Sequence, residues 1–214
     1  MIEYKNISLS SQVYDKIEEE ILNGSFKAGE TISEKKICQA LGVSRTPVRE
    51  AMARLSHENL IKDTQNGTIV VGVTKDDLRD LFEIKRTVEV IATGRTAENI
   101  SQDGIKKLEE ILEQQEFYAH KGNSEMVRDL DTSFHDLIYK ESGSSVFQGI
   151  LSPIHHKMRK YRKVSLEQEN RIFESVKEHE AIFNAITEHD SEKVQKLMLA
   201  HIQQAYINMI GGEK

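Results

Sequence analysis

Apolar residues return every third or fourth position along most of the chain, the spacing of a helix with one face against a core. From Leu9 to Asn23 the stripe is Val13, Ile17, Ile21 and Leu22, and Gly24 follows as a C-terminal cap. The stretch SFKAGE turns the chain, Ser33 caps a short second helix carrying Ile37, Ala40 and Leu41, and Gly42 ends it. After a two-residue break, Val48, Ala51, Met52 and Leu55 mark a third helix, with Pro47 in its first turn, where a missing N–H costs nothing. The pattern then alternates. LIKDTQNGTIVVGV gives two short apolar-polar runs around Asn66-Gly67, a two-residue hairpin signal. Two short helices joined by a glycine turn, with a hairpin directly after, are the parts of a winged helix-turn-helix.

From Thr74 the helical period resumes and predicts six helices, over 75–99, 102–120, 123–141, 143–163, 167–188 and 190–210. The separators are short, such as HKGNS, SGSS and HD, and connections of that length favour antiparallel neighbours. The expected fold is therefore mainly α, with a winged helix-turn-helix over 1–73 and an antiparallel six-helix bundle over 74–214. Two prolines and no tryptophan among 214 residues agree with a helical architecture. The single cysteine, Cys38, is expected to be a small buried hydrophobe. No apolar run approaches the roughly 20 residues of a membrane span, and the opening residues lack the apolar core of a signal peptide. A cytoplasmic protein without a membrane partner is the expectation.

A net charge of -6 argues against nucleic acid until its distribution is considered. Between Lys35 and Arg54, five basic side chains (Lys35, Lys36, Arg45, Arg49, Arg54) face only Glu50. With the apolar stripe of the third helix packed inward, Arg45, Thr46 and Arg49 stand on its outer face, at the end that enters the major groove in this motif. An arginine fork can bond guanine O6 and N7, and a helix N-terminus favours phosphate.

The bundle carries a second anomaly. In VRDLDTSFHDLIYKE, Asp131 and His135 lie on the apolar side of their helix, four residues apart and able to bind one ion. The fifth helix puts His179 on its stripe with Val176, Phe183 and Ile186; the sixth puts His201 there with Val194, Leu197 and Met198. One such histidine is ordinarily a satisfied core residue. Three with a carboxylate form a set suited to zinc, nickel, manganese or iron, provided the helices converge. His57, His120 and His189 lie at helix ends and receive no ligand role. His155 and His156 belong to SPIHHKMRKYRKV, whose Lys157, Arg159, Lys160, Arg162 and Lys163 read as a solvated face; Arg162 is the one candidate to turn inward toward an effector carboxylate.

The run ILNGSFKAGETISEKKICQALGVSRTPVREAMARLSHENLI resembles the DNA-binding domain of the GntR family of bacterial transcription regulators, through Gly24 and Gly29 and the VSRTPVREAMARL segment. The resemblance implies that Arg45 and Arg49 read or anchor double-stranded operator DNA, with Ser44, Thr46 and the wing tip at Gly67 in support. Lys35 or Lys36 stands where the family usually has an arginine, which lysine does not replace in bidentate contacts. Asp-x-x-x-His, KEHEAIFNAITEHD and the later histidine resemble the FCD ligand-sensing domain of the FadR branch, and six helices resemble its VanR-type subgroup. That resemblance implies a divalent metal, zinc first, on Asp131, His135, His179 and His201, with a small organic acid effector nearby and a homodimer. The family's effector-anchoring arginine aligns with Lys85, with Arg86 beside it, and Ser144 replaces a frequent asparagine.

Three functions follow as expectations: a regulator, in the family's usual mode a repressor, controlled by a small acid near the metal; a direct metal sensor; and, at a distance, a metal-dependent hydrolase activating water. No further general base in a distinctive motif accompanies the four ligands, so an enzyme is not expected.

Overall fold

The computed structural model describes residues 8–166 and 170–211. The chain divides into two compact units, Met1–Lys75 and Asp76–Lys214. The first contains α1 (Leu9–Leu22), β1 (Thr31–Ile32), α2 (Glu34–Leu41), α3 (Arg45–His57), β2 (Ile61–Thr64) and β3 (Gly67–Val70). Ser8 caps α1 by accepting from the Ser11 N–H, and Ser33 caps α2 through that of Lys36. Gly42 ends α2 at φ 66°, a left-handed conformation that glycine adopts without penalty. The apolar stripes meet in one core, where Ile17, Ile37, Val48, Ala51 and Leu55 are all buried.

The wing differs from the expectation by one residue. Thr64 pairs with Gly67, so Gln65 and Asn66 form the turn, and Gly67, at φ 112°, opens the return strand. The Thr64 hydroxyl holds this turn, donating to the Gly67 carbonyl and accepting from the Asn66 N–H. A third strand, β1, completes an antiparallel sheet of order β1-β3-β2. With only two residues it carries no alternation to read. Cys38 packs against the core half-buried, since only Ile37 of α2 is fully inside.

The second unit runs through α4 (Lys75–Ile84), a π-helical segment (Lys85–Glu89), α5 (Val90–Asn99), α6 (Gln102–His120), α7 (Ser124–Glu141), α8 (Ser145–Lys157), α9 (Arg159–Leu166), α10 (Arg171–Thr187) and α11 (Ser191–Gly211). α6 packs on α7, and α11 on α5 and α10. The expected first bundle helix is continuous except for its π turn. The expected fourth helix, 143–163, is instead two: Met158, at ψ 0°, leaves helical geometry and redirects the chain between α8 and α9. The predicted start of the fifth helix, 167–169, lies outside the described residues. No described helix is long and apolar enough to cross a membrane.

Candidate metal centre

Asp131, His135, His179 and His201 each present one donor atom, and the four atoms lie within 4.8 Å of one another. α7 supplies the first two by i, i+4 spacing, α10 and α11 one each, and all four are buried. On each of the three rings Nδ1 is already engaged. His135 Nδ1 lies 2.6 Å from Glu89 Oε1, His179 Nδ1 2.8 Å from Gln115 Oε1 and His201 Nδ1 2.6 Å from Glu178 Oε2. The partners are oxygens, so each Nδ1 carries the proton and donates, which leaves each Nε2 with its lone pair. His179 Nε2 and His135 Nε2 lie 3.6 and 3.9 Å from Asp131 Oδ1. His179 Nε2 is buried with no hydrogen-bond partner among the described residues.

The other oxygen of Asp131 is held separately. Its Oδ2 lies 3.1 Å from Arg162 Nε and 3.2 Å from His155 Nε2, close enough for ion pairing though outside hydrogen-bond alignment. His155 Nδ1 accepts from the Lys85 ammonium at 2.9 Å, so its proton belongs on Nε2, opposite to the other three rings. His155 therefore orients Asp131. Lys85 also pairs with Glu89 at 3.1 Å, and Glu89 accepts from the Tyr139 hydroxyl at 2.7 Å as well as from His135. The π segment positions this layer, burying both Lys85 and Glu89.

The electrostatics fit a cation. Burial alone would raise the carboxyl pKa of Asp131, but contacts with His155 and Arg162 hold it well below the usual range. Glu89 behaves alike, with Lys85 and His135 outweighing its complete burial. Burial pushes the imidazoles of His135, His155 and His179 down, so all three are neutral at pH 7. Neutral imidazoles and an ionised carboxylate are the protonation states that metal ligation requires. Unfilled lone pairs converging in a buried place, each backed by an acceptor on the opposite ring nitrogen, fit zinc, nickel, manganese or iron.

Several expectations need correction. His155 is not on a solvated face: it is 1% exposed and inside the polar network. Arg162, the candidate to turn inward, does so, because the break at Met158 reorients α9; its Nη1 and Nη2 donate to the His155 carbonyl and Thr132 Oγ1, and its Nε pairs with Asp131. Lys85 is buried as an effector anchor would be, but Arg86 projects outward to Glu83 and borders a separate groove with Arg79 and Ile207. Ser144 caps α8, accepting from the Phe147 N–H. Unforeseen were Glu89, Gln115, Glu178 and Arg171. A cavity of about 30 Å³, room for roughly two waters, adjoins Asp131, His135 and His201 and is walled by Arg171, Phe82 and Met158.

In the first unit Arg45 and Thr46 are exposed at the start of α3, and Ser44 occupies the N-cap position without making a side-chain cap. Arg49, with 65% of its side chain exposed, is clasped by Glu34 at 3.2 Å. Lys35 and Lys36 are exposed on α2. Arg54 instead lies over the Tyr14 ring, 3.8 Å from its centroid, and withdraws from the basic face.

Two family models match this chain: bacterial regulatory proteins, gntR family, over residues 9–71, and the FCD domain over residues 80–204. The uncharacterized HTH-type transcriptional regulator YdhC of Bacillus subtilis is 29% identical over 193 residues, covering 89% of this chain and 86% of that protein. The HTH-type transcriptional repressor RspR of Escherichia coli is 24% identical over 197 residues, covering 92% of this chain and 86% of that one. Among solved structures, E. coli McbR/YncC superposes with a TM-score of 0.84 at 23% identity, covering 97% of this chain and all of the other, a likeness of fold.

Proposed function

Because the chain belongs to the GntR family of bacterial regulators and carries an FCD domain behind its winged helix, we propose that a divalent metal and a small carboxylate bound in that domain control its grip on operator DNA. The family and its relatives are DNA-binding transcription regulators, not enzymes. The observation that carries the metal reading is the arrangement of three imidazoles, each with Nδ1 held by an acceptor and Nε2 left for the Asp131 carboxylate's neighbourhood. Zinc suits that nitrogen-rich set best.

When bound, the metal supplies positive charge for an acid's oxygen. The chain's own residues do the rest: Glu89, Gln115 and Glu178 fix the rings, and His155 and Arg162 fix the carboxylate. Repression is the mode, in line with the repressor named among the relatives. The active form is a cytoplasmic homodimer on a two-fold related site, with half-sites about 34–36 Å apart; exposed Ile84, Ile91, Val146 and Ile150 on the bundle are consistent with a partner copy. Control requires the acid to bind the DNA-competent and DNA-incompetent arrangements with different affinity.

The small cavity favours a second reading, in which the metal itself is the signal. Selection of the operator from random DNA, followed by anisotropy titrations with zinc, chelator and a panel of small acids, separates the two. Operator affinity that responds to an acid only in the metal-loaded protein supports the proposal. Affinity that follows zinc while ignoring every acid makes the protein a metal sensor, and indifference to both removes control from this site.

A further inference from the structure

Arg171 opens α10 with 2% of its surface exposed, an expensive position for a permanent cation. Its Nη1 and Nη2 donate to Glu178 Oε1 and Oε2 at 2.5 and 2.8 Å. The same Glu178 Oε2 accepts from Nδ1 of His201 at 2.6 Å. One carboxylate thus serves two masters, an arginine of the cavity wall and a candidate metal ligand.

A buried arginine in a two-point ion pair is often only structural, but two observations go further. Arg171 lines the cavity that reaches Asp131 and His201, and its Nε has no hydrogen-bond partner among the described residues. The other cavity cations are committed elsewhere: Lys85 to Glu89 and His155, Arg162 to Asp131 and Thr132. Phe82, Met158 and Ile202 make the remaining wall apolar. A monocarboxylate as small as acetate matches that combination and the size of the cavity, its acid group at the guanidinium and its methyl against the apolar side.

We propose that Arg171 receives the carboxylate of a small acid in this cavity, and that Glu178, shared between Arg171 and His201, couples the binding of the acid to that of the metal. The reasoning is electrostatic. An acid oxygen that draws Arg171 donors from Glu178 leaves more of the Glu178 charge on the His201 N–H. That makes Nε2 a better donor, as carboxylate partners do for ligating histidines. Each ligand then strengthens the other by the same factor, because coupling between two binding equilibria is reciprocal.

The proposal rests on the metal-centre reading, and the test separates the two. The zinc dissociation constant of the full chain is measured by competition with a chromogenic chelator, without and with saturating acetate, and no DNA is involved. In wild type, acetate should tighten zinc by roughly tenfold, within the usual span of such couplings. Glu178→Gln, which keeps the shape but not the charge, should still bind zinc and lose most of that factor. Arg171→Met should lose it entirely. Should Arg171→Met not fold, Arg171→Lys keeps a buried charge without the two-point grip and should cut the factor to a few-fold at most. Wild type that binds zinc with no response to acetate overturns the coupling alone, whereas wild type that binds no zinc overturns the metal centre as well. A full acetate response in Glu178→Gln shows that the acid acts on the metal directly and rules out the shared carboxylate.

Discussion

Chelation should melt one unit of this protein and leave the other untouched. All four candidate donors lie in the second unit, Asp76–Lys214, and the first contributes none. An ion present at about a thousand times its dissociation constant stabilises the state that binds it by about 4 kcal/mol. For a unit of this size 1 kcal/mol moves the midpoint by about 3 °C, so the bundle transition should fall by roughly 12 °C on chelation. Calorimetry with zinc and then with chelator follows both transitions, and the winged unit is the internal control. His179→Ala sharpens the comparison. Even without metal it strands Gln115 Oε1, about 1–3 kcal/mol, and removes a ring stacked 4.4 Å from Phe134, about 0.5–1.5 kcal/mol. The variant is thus weaker in any buffer, and the diagnostic quantity is the zinc-minus-chelator difference. It should be near 12 °C in wild type and close to zero in the variant. Equal shifts in the two proteins would refute the assignment of His179 as a ligand, and a shift in the winged transition would place the metal elsewhere.

Acid should act on the metal-free bundle well before its carboxylates titrate. His135, His155 and His179 are held below the free imidazole value of 6.5, so below that pH the unfolded chain takes up protons that the folded one refuses, and stability present above pH 6.5 is lost as pH falls. Urea titrations at pH 7.5 and 5.5 in chelator should differ by up to about 4 kcal/mol, roughly 1.4 for each histidine; no difference would mean the rings are charged or solvated. Glu89→Gln strands the Lys85 ammonium and should cost about 3–5 kcal/mol, much of it regained in Glu89→Gln with Lys85→Met; a double variant no more stable than the single one contradicts the pairing. On DNA, Arg45→Ala should either flatten the salt dependence of binding by about 0.9, if it meets a phosphate, or cost about 1–3 kcal/mol at one base pair, if it reads guanine. Glu34→Gln, which releases Arg49, should tighten operator binding; weaker binding would show that Glu34 pre-sets Arg49 for its contact.

The four donors were legible because each interrupts an apolar stripe with a residue that packing alone would not choose. The layer behind them obeys the same rule and was available in principle. Gln115 continues the Leu108, Leu112, Ala119 stripe of α6, and Glu89 lies seven residues after Phe82 on the buried face. Neither residue type is a strong metal ligand by itself, so a search for ligands passes over both. Glu178 sits beside His179 but serves His201 on another helix, a contact no single-helix reading contains. The basic neighbours of His155 give its segment the pattern of a solvated face, although the ring is buried. The break at Met158 turns that segment, and periodicity gives no sign of a break without a glycine or proline at the site. In the winged unit the helices follow the pattern closely, while the turn slipped by one because Gly67 needs its positive φ within the strand instead of at the tip.

The π segment also constrains how this chain can change length. A π turn holds one residue more than the α turn it replaces. Deleting any one residue between Lys85 and Glu89 would therefore restore ordinary helical hydrogen bonding, and by local criteria improve the helix. Because the wide turn and the α turn that replaces it both close one revolution, α5 would keep its facing, with Thr93, Thr96 and Ala97 still inside. The π turn is thus where this helix can lose a residue without turning α5, though with loss of the buried Lys85–Glu89 layer, whereas a deletion within α4 or α5 would rotate everything downstream by about 100°.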